Sequence, residues 1–247
     1  MAWRNVPAGH GWKWIAQGWA LFMRNPLVWV LIGVVFVLIY FGLHLLPGIG
    51  AMAAVVLTPV FAAGVMLGCR ALERGEPLSF DHLFAGFRDR VGPLLVIGAL
   101  YLGAMIVIAL VVGLVTGGKL FELLSGEIDP GSIAAAAGTI MLAVLLMMAL
   151  LVPVAMALWF APCLVLFESR GALAAMGESF VASLANTIPF LLYGLILFGL
   201  SIVAAIPFGL GWLVLGPVTA ASIYTGYRDI FVSGSEREKA PAVPQPG

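Results

Sequence analysis

PLVWVLIGVVFVLIYFGLHLLPGIGAMAAVVLTPVFAAGVMLGC, residues 26–69, contains no Asp, Glu, Lys or Arg. Its length decides the fold class. A helix crossing the ~30 Å hydrocarbon core of a bilayer needs about 20 residues at 1.5 Å rise, so the run is long enough to cross twice. At its middle stands Pro47-Gly48-Ile49-Gly50, a breaker cluster with room for only a tight turn. The stretch reads as a hairpin of two membrane helices.

Three more charge-free runs follow, at 91–118, 130–167 and 179–227. The last is divided by PFGLG at 207–211, the same breaker chemistry. The expected spans are about 27–46, 50–69, 94–116, 145–167, 189–207 and 210–227. The middle pair has a longer connection, which carries Lys119, Glu122, Glu127 and Asp129. There Asp129-Pro130 resembles a helix start, with Asp as N-cap and Pro at N1. The apolar run 133–167 would extend about 50 Å as one straight helix. The fourth helix therefore either begins outside the hydrocarbon or breaks near Pro153.

Composition agrees with the spans. The chain has 247 residues, 62% hydrophobic and 10% charged, against about 25% charged in soluble domains. The net charge is zero, which gives a nucleic acid no electrostatic footprint. Two cysteines, Cys69 and Cys163, are too few for a disulfide framework or a zinc site and read as reduced thiols. Trp3, Trp12, Trp14 and Trp19 precede the first span. No short apolar core with a small-residue cleavage site is visible, so that span is expected to remain as an anchor.

The hairpins share a pattern. PVFAAGVMLG starts at Pro59, PVAMALWFAP at Pro153 and PVTAASIYTG at Pro217. Each opens Pro-Val, continues with small residues, and carries a breaker nine positions on, at Gly68, Pro162 and Gly226. Proline frees a carbonyl and bends a membrane helix, while small neighbours let another helix approach. Pro59, Pro153 and Pro217 are therefore read as equivalent bends packed toward the interior. Each hairpin also follows an amphipathic segment. Trp12, Ile15, Trp19 and Phe22 fall at helical spacing, as do Phe80, Leu83, Phe84 and Phe87. With Trp12, Trp19, Phe22, Phe84 and Phe87 as anchors, these segments read as helices in the cytoplasmic headgroup layer, aromatic side down. The third copy, 172–184, is weaker. The fold class is thus an all-α membrane protein: a six-helix bundle of three hairpin repeats, each preceded by a cytoplasmic interfacial helix. Residues 1–232 form one membrane domain, and 233–247, with Pro241, Pro244 and Pro246, reads as a disordered cytoplasmic tail.

Chemistry is sparse. An ionisable group inside a span marks function by default, and only His44 lies in one, near its outer end. Asp81, His82 and Asp89 read as a solvated helix face. No P-loop, dinucleotide fingerprint, HxxxH or CxxC occurs. No catalytic residue, metal or cofactor is expected.

VPAGHGWKWIAQGWALFMRNPLVW at 6–29 and LERGEPLSFDHLFAGFR at 72–88 resemble an uncharacterised family of proteobacterial integral membrane proteins, up to about residue 231. More distantly, the repeated unit is similar to membrane domains attached to some glycerophosphodiester phosphodiesterases, whose catalytic domain this chain lacks. The resemblance implies an inner-membrane location and transfers no functional residues. The expected function is a non-enzymatic membrane protein acting through lipid, or through a protein partner at the cytoplasmic face. The alternative is a transporter or channel for a small neutral or amphipathic solute.

Eleven of the twelve Lys and Arg residues fall on one side of the expected spans, and Lys119 alone on the other. The positive-inside rule places the first side, with both termini, in the cytoplasm. Reporter fusions after Gly48, Gly126 and Gly209 should read periplasm, and fusions after Gly75, Gly171 and Gly234 cytoplasm. A cytoplasmic signal at Gly126 would overturn the topology.

Overall fold

The computed structural model describes residues 3–117 and 133–232. The tail 233–247, Lys119 and the helix start at Asp129-Pro130 lie outside the described residues. Within them the elements are α1 (His10–Arg24), α2 (Pro26–His44), α3 (Ile49–Glu73), α4 (Asp81–Ala85) and α5 (Val91–Val115). They continue with α6 (Ile133–Trp159), α7 (Ala161–Phe167), α8 (Ala172–Ala185), α9 (Thr187–Ala205) and α10 (Trp212–Phe231). No strand occurs among them.

Five segments are long and apolar enough to cross a membrane: α2, α3, α5, Ala137–Phe167 and α9. The expectation of six is therefore met by length and composition for five. The sixth segment is a helix, α10, but its apolar run is interrupted by Thr219, Ser222, Thr225, Arg228 and Asp229. Ser222, Thr225 and Asp229 are buried. Polarity sits there because this helix faces protein over much of its surface.

Two turns have the same construction. Gly48 and Gly209 take φ of 72° and 81°, a region that favours glycine. Two residues on, Gly50 packs its backbone onto Leu43, and Gly211 packs onto Ala204; a Cβ at either would overlap main chain. Each pair is seven residues apart, so one geometry closes both hairpins.

The short helices pack lengthwise on long ones. Along α1, Trp14 meets Gly226, and Gly18 meets Val218 and Ser222. The two helices are therefore antiparallel over roughly 12 Å of α10, from Val218 to Gly226. Before and along α4, Leu78 meets Gly68, His82 meets Gly64 and Gly68, and Gly86 meets Val60 and Gly64. Counted from Pro59 and from Pro217, these are the same positions: the following carbonyl, the fifth residue and the ninth. The buried face of α1 is Gly11, Trp14, Ile15, Gly18, Leu21 and Phe22. The aromatic stripe expected from the sequence is thus split. Ile15 and Phe22 turn into the protein, while Trp12 and Trp19 stay 57% and 45% exposed.

Pro153 does not break its helix. It lies inside α6, and the interruption falls at Phe160, between α6 and α7. Pro162 brings no N–H to the Leu158 carbonyl. The Phe160 N–H donates to Ser179 Oγ at 3.0 Å, and Ser179 donates to the Met156 carbonyl at 2.7 Å. A hydroxyl from α8 thus stands where the bond from Phe160 to Met156 would run, a recognised cause of helix breaks. Pro59 and Pro217 are buried, whereas Pro153 is exposed, which corrects the expectation that all three pack inward.

Ala63 and Ala221 are fully buried. Ala63→Leu or Ala221→Leu should cost about 1–3 kcal/mol through overpacking, read as a lower melting temperature in detergent. Ala51→Leu, at an exposed position of α3, should leave it unchanged.

Candidate functional site

One cavity stands out. It has a volume of about 530 Å³ and lies between α2, α3 and α10, with α4 and the α9–α10 turn at its ends. Trp29, Phe36, Phe61, Met66, Leu83 and Trp212 supply large walls, and Gly33, Ala62, Gly216 and Ala220 supply the room. Ala62 and Ala220 belong to the same Pro-Val segments that pack helices elsewhere. Gly33 has only Pro217 Cγ near it, at 3.9 Å, and nothing lies within 4 Å of a Cβ placed on Gly216. Thr58 carries the one hydroxyl in the wall, beside the indole N–H groups of Trp29 and Trp212, and it is engaged. Its Oγ1 donates to the Ala54 carbonyl at 2.9 Å and lies 2.5 Å from the Tyr40 hydroxyl. The cavity is therefore apolar, and Val37, Phe208 and Leu210 on its rim are exposed.

Of the five expected anchors, Phe84 and Phe87 lie against a wall of this cavity. Phe84 and Phe87, 42% and 38% exposed, lie edge-on to Phe61 at 6.2 and 5.2 Å between ring centres. Trp19 stacks on Phe22 at 5.5 Å. Trp12 and Trp19 point away from the protein, and Phe22 is part of its core. Pro217 lines the cavity; Pro59 does not, and Pro153 lies on the outer side of α6. His44 bonds the Tyr40 carbonyl at 2.7 Å, and His82 turns back onto Ser79.

A second feature was not visible in the sequence. The final turns of α10 gather buried charge. Asp229 accepts from Arg4 Nη2 at 2.6 Å, His10 Nδ1 at 2.6 Å and Trp14 Nε1 at 2.9 Å. Arg4 Nε also donates to the Asp229 carbonyl at 2.7 Å. Asp229 lies beyond the apolar stretch expected to end at Tyr227. Glu73 accepts from Tyr224 at 2.6 Å and pairs with Arg228 at 3.0 Å. Glu168 accepts from Tyr227 at 2.9 Å. Asn186 completes the N-terminal attachment, accepting from the Val6 N–H at 2.9 Å and donating to the Arg4 carbonyl at 3.2 Å.

The chemistry of this cluster is that of fastening. Each carboxylate is occupied by donors from another part of the chain, as buried charge requires. Its sequence signal was faint: an acid at the end of each second hairpin helix, in LERG, FESRG and YRDIF, with Tyr224 and Tyr227 on one face of α10. Among the described residues no group of three His, Cys, Asp or Glu side chains is placed to hold a metal.

No known protein-family profile matches the chain, and no solved structure matches it. The suggested tie to glycerophosphodiester phosphodiesterase membrane domains gains no support from these comparisons. A probable inner membrane protein of Burkholderia thailandensis is 33% identical over 268 aligned positions, which cover 97% of both chains. With several helices apolar enough to cross a bilayer, the protein is a multi-pass inner-membrane protein, and it belongs to the family of that Burkholderia thailandensis protein.

Proposed function

We propose that this is a non-enzymatic inner-membrane protein that acts by holding lipid, with one acyl chain seated between α2, α3 and α10. The observation that carries the reading is the apolar cavity of about 530 Å³ with exposed apolar residues on its rim. Its size lies within the usual range for ligand sites, roughly 300–1,000 Å³. A polar solute entering it would give up hydrogen bonds to water for a wall whose polar groups are the engaged Thr58 hydroxyl and two indole N–H groups, at about 1–3 kcal/mol per unmet group. That weighs against the polar members of the alternative class, a transporter or channel for a small neutral or amphipathic solute, along this path. An alkyl chain loses nothing there.

The architecture proposed with it is six spans in three hairpins, both termini cytoplasmic. Support comes from the asymmetry of Lys and Arg and from the matched details of the first and third hairpins. The Gly48 and Gly209 turns agree, and so do the contacts counted from Pro59 and Pro217. The sixth span is α10, whose polar side is covered by α1. The second hairpin is the divergent copy, with Pro153 exposed and Ser179 set into its helix.

Purification in mild detergent, followed by lipid extraction and mass spectrometry, tests the reading. The protein should retain phospholipid in near-stoichiometric amount. Ala220→Phe, which fills the cavity, should lower retention severalfold, and Leu110→Phe on the exposed face of α5 should not. Equal retention by the filled and unfilled proteins would sink the proposal.

A further inference from the structure

We infer that the cavity selects an anionic phospholipid of the cytoplasmic leaflet, with Arg24 holding its phosphate; this rests on the lipid-holding reading above. Arg24 is the last residue of α1, at the joint with α2. Its Nη1 donates to the Leu72 carbonyl near the end of α3, so the guanidinium bridges the two chain segments whose helices wall the cavity. Trp29 lies five residues after Arg24, and Met66 lies six residues before Leu72. Both line the cavity. Along α3 the Leu72 carbonyl is about 9 Å from Met66, the separation of a headgroup from the start of its chains.

The surroundings favour an anion. Arg24 is exposed, as is Arg74 just past Leu72. Glu73 is turned inward to Tyr224 and Arg228, while Glu76 and Asp81 are the exposed acids on the segment that follows. A guanidinium carries five donors in a planar fork suited to phosphate, and among the described residues Arg24 spends one on Leu72. Trp19 and Met23 stand exposed on the preceding turns, where aromatic and apolar side chains settle at headgroup depth. A zwitterionic lipid would bring its ammonium to the same cluster of cations, so the site discriminates by headgroup charge.

The test uses the full chain in nanodiscs of equal phosphatidylglycerol and phosphatidylethanolamine, extracted into mild detergent, with the retained lipids quantified. Wild type should retain phosphatidylglycerol in excess of the mixture. Arg24→Gln should reduce that enrichment about fivefold, the weight of one cation near a lipid surface. Arg24→Lys should recover part of it, and Arg170→Gln, which removes an arginine paired with Glu178, should leave it intact. Raising the salt should weaken the wild-type enrichment, because exposed charges are screened. Enrichment absent in wild type, insensitive to salt, or unchanged in Arg24→Gln would overturn the inference. If Ala220→Phe still displaces lipid in that case, the cavity reading survives alone; if Ala220→Phe displaces none, that reading has failed as well.

Discussion

A Cβ on Gly18 would stand 2.8 Å from both the Val218 carbonyl oxygen and the Ser222 nitrogen. The rest of the bundle depends on that absence of a side chain. Helices in hydrocarbon are not driven together by the hydrophobic effect, since lipid is as apolar as leucine; they associate through close packing and polar contacts. With Gly18 against α10, Thr225 donates to the Trp14 carbonyl at 3.0 Å and the Trp14 indole reaches Asp229. His10 and Arg4 follow on the same strap. Hold α1 an ångström further off and these donors withdraw from a side chain only 7% exposed. Leaving a buried carboxylate short of a hydrogen-bond donor costs about 1–3 kcal/mol, a sizeable share of the 5–15 kcal/mol that keeps a protein folded. One backbone contact therefore decides whether the chain can close its beginning onto its end.

The same contact explains why α10 escapes a hydropathy criterion. Ser222 is held by Tyr193 at 2.6 Å, Thr225 by Trp14, and Asp229 by three side chains. Polar groups satisfied by protein are cheap in a membrane, and unsatisfied ones are not. The helix can therefore carry them without facing water.

What was legible in the sequence follows the reach of each interaction. Charge-free runs and the PGIG and PFGLG breakers are local, and they located the helices and turns. The Pro-Val segments at Pro59 and Pro217, though not the one at Pro153, marked where helices approach, because close contact needs small residues. The buried face of α1 could not be read from aromatic spacing. Protein and lipid are equally apolar neighbours, and Trp12, Trp14, Trp19 and Phe22 lie around much of the helix. Gly11 and Gly18 were the better guide, since only a packed backbone requires their lack of a Cβ. A break near Pro153 was one of two expected readings of the 133–167 run, and the break occurs at Phe160, because Ser179 enters from a later helix. The carboxylate cluster was missed for a related reason: Asp229 is bound by residues as far as 225 positions away.

The cavity follows from a difference between two seams built on similar sequence. At the first, Gly98 of α5 presses onto the Val56 carbonyl so closely that no Cβ would fit, and α5 is drawn tight against α3. At the other, Gly33 of α2 meets only the ring of Pro217 at ordinary contact distance. Trp29 and Trp212 both stand in that seam, where smaller residues would let the helices collapse. The outcome is a gap rather than an interface. Across this gap of about 530 Å³ the lining side chains forgo the close contacts that the first seam makes. The Trp29 indole N–H is spent on the Leu21 carbonyl, and the seam that remains is walled mainly by apolar side chains and opens at Val37, Phe208 and Leu210 on its rim.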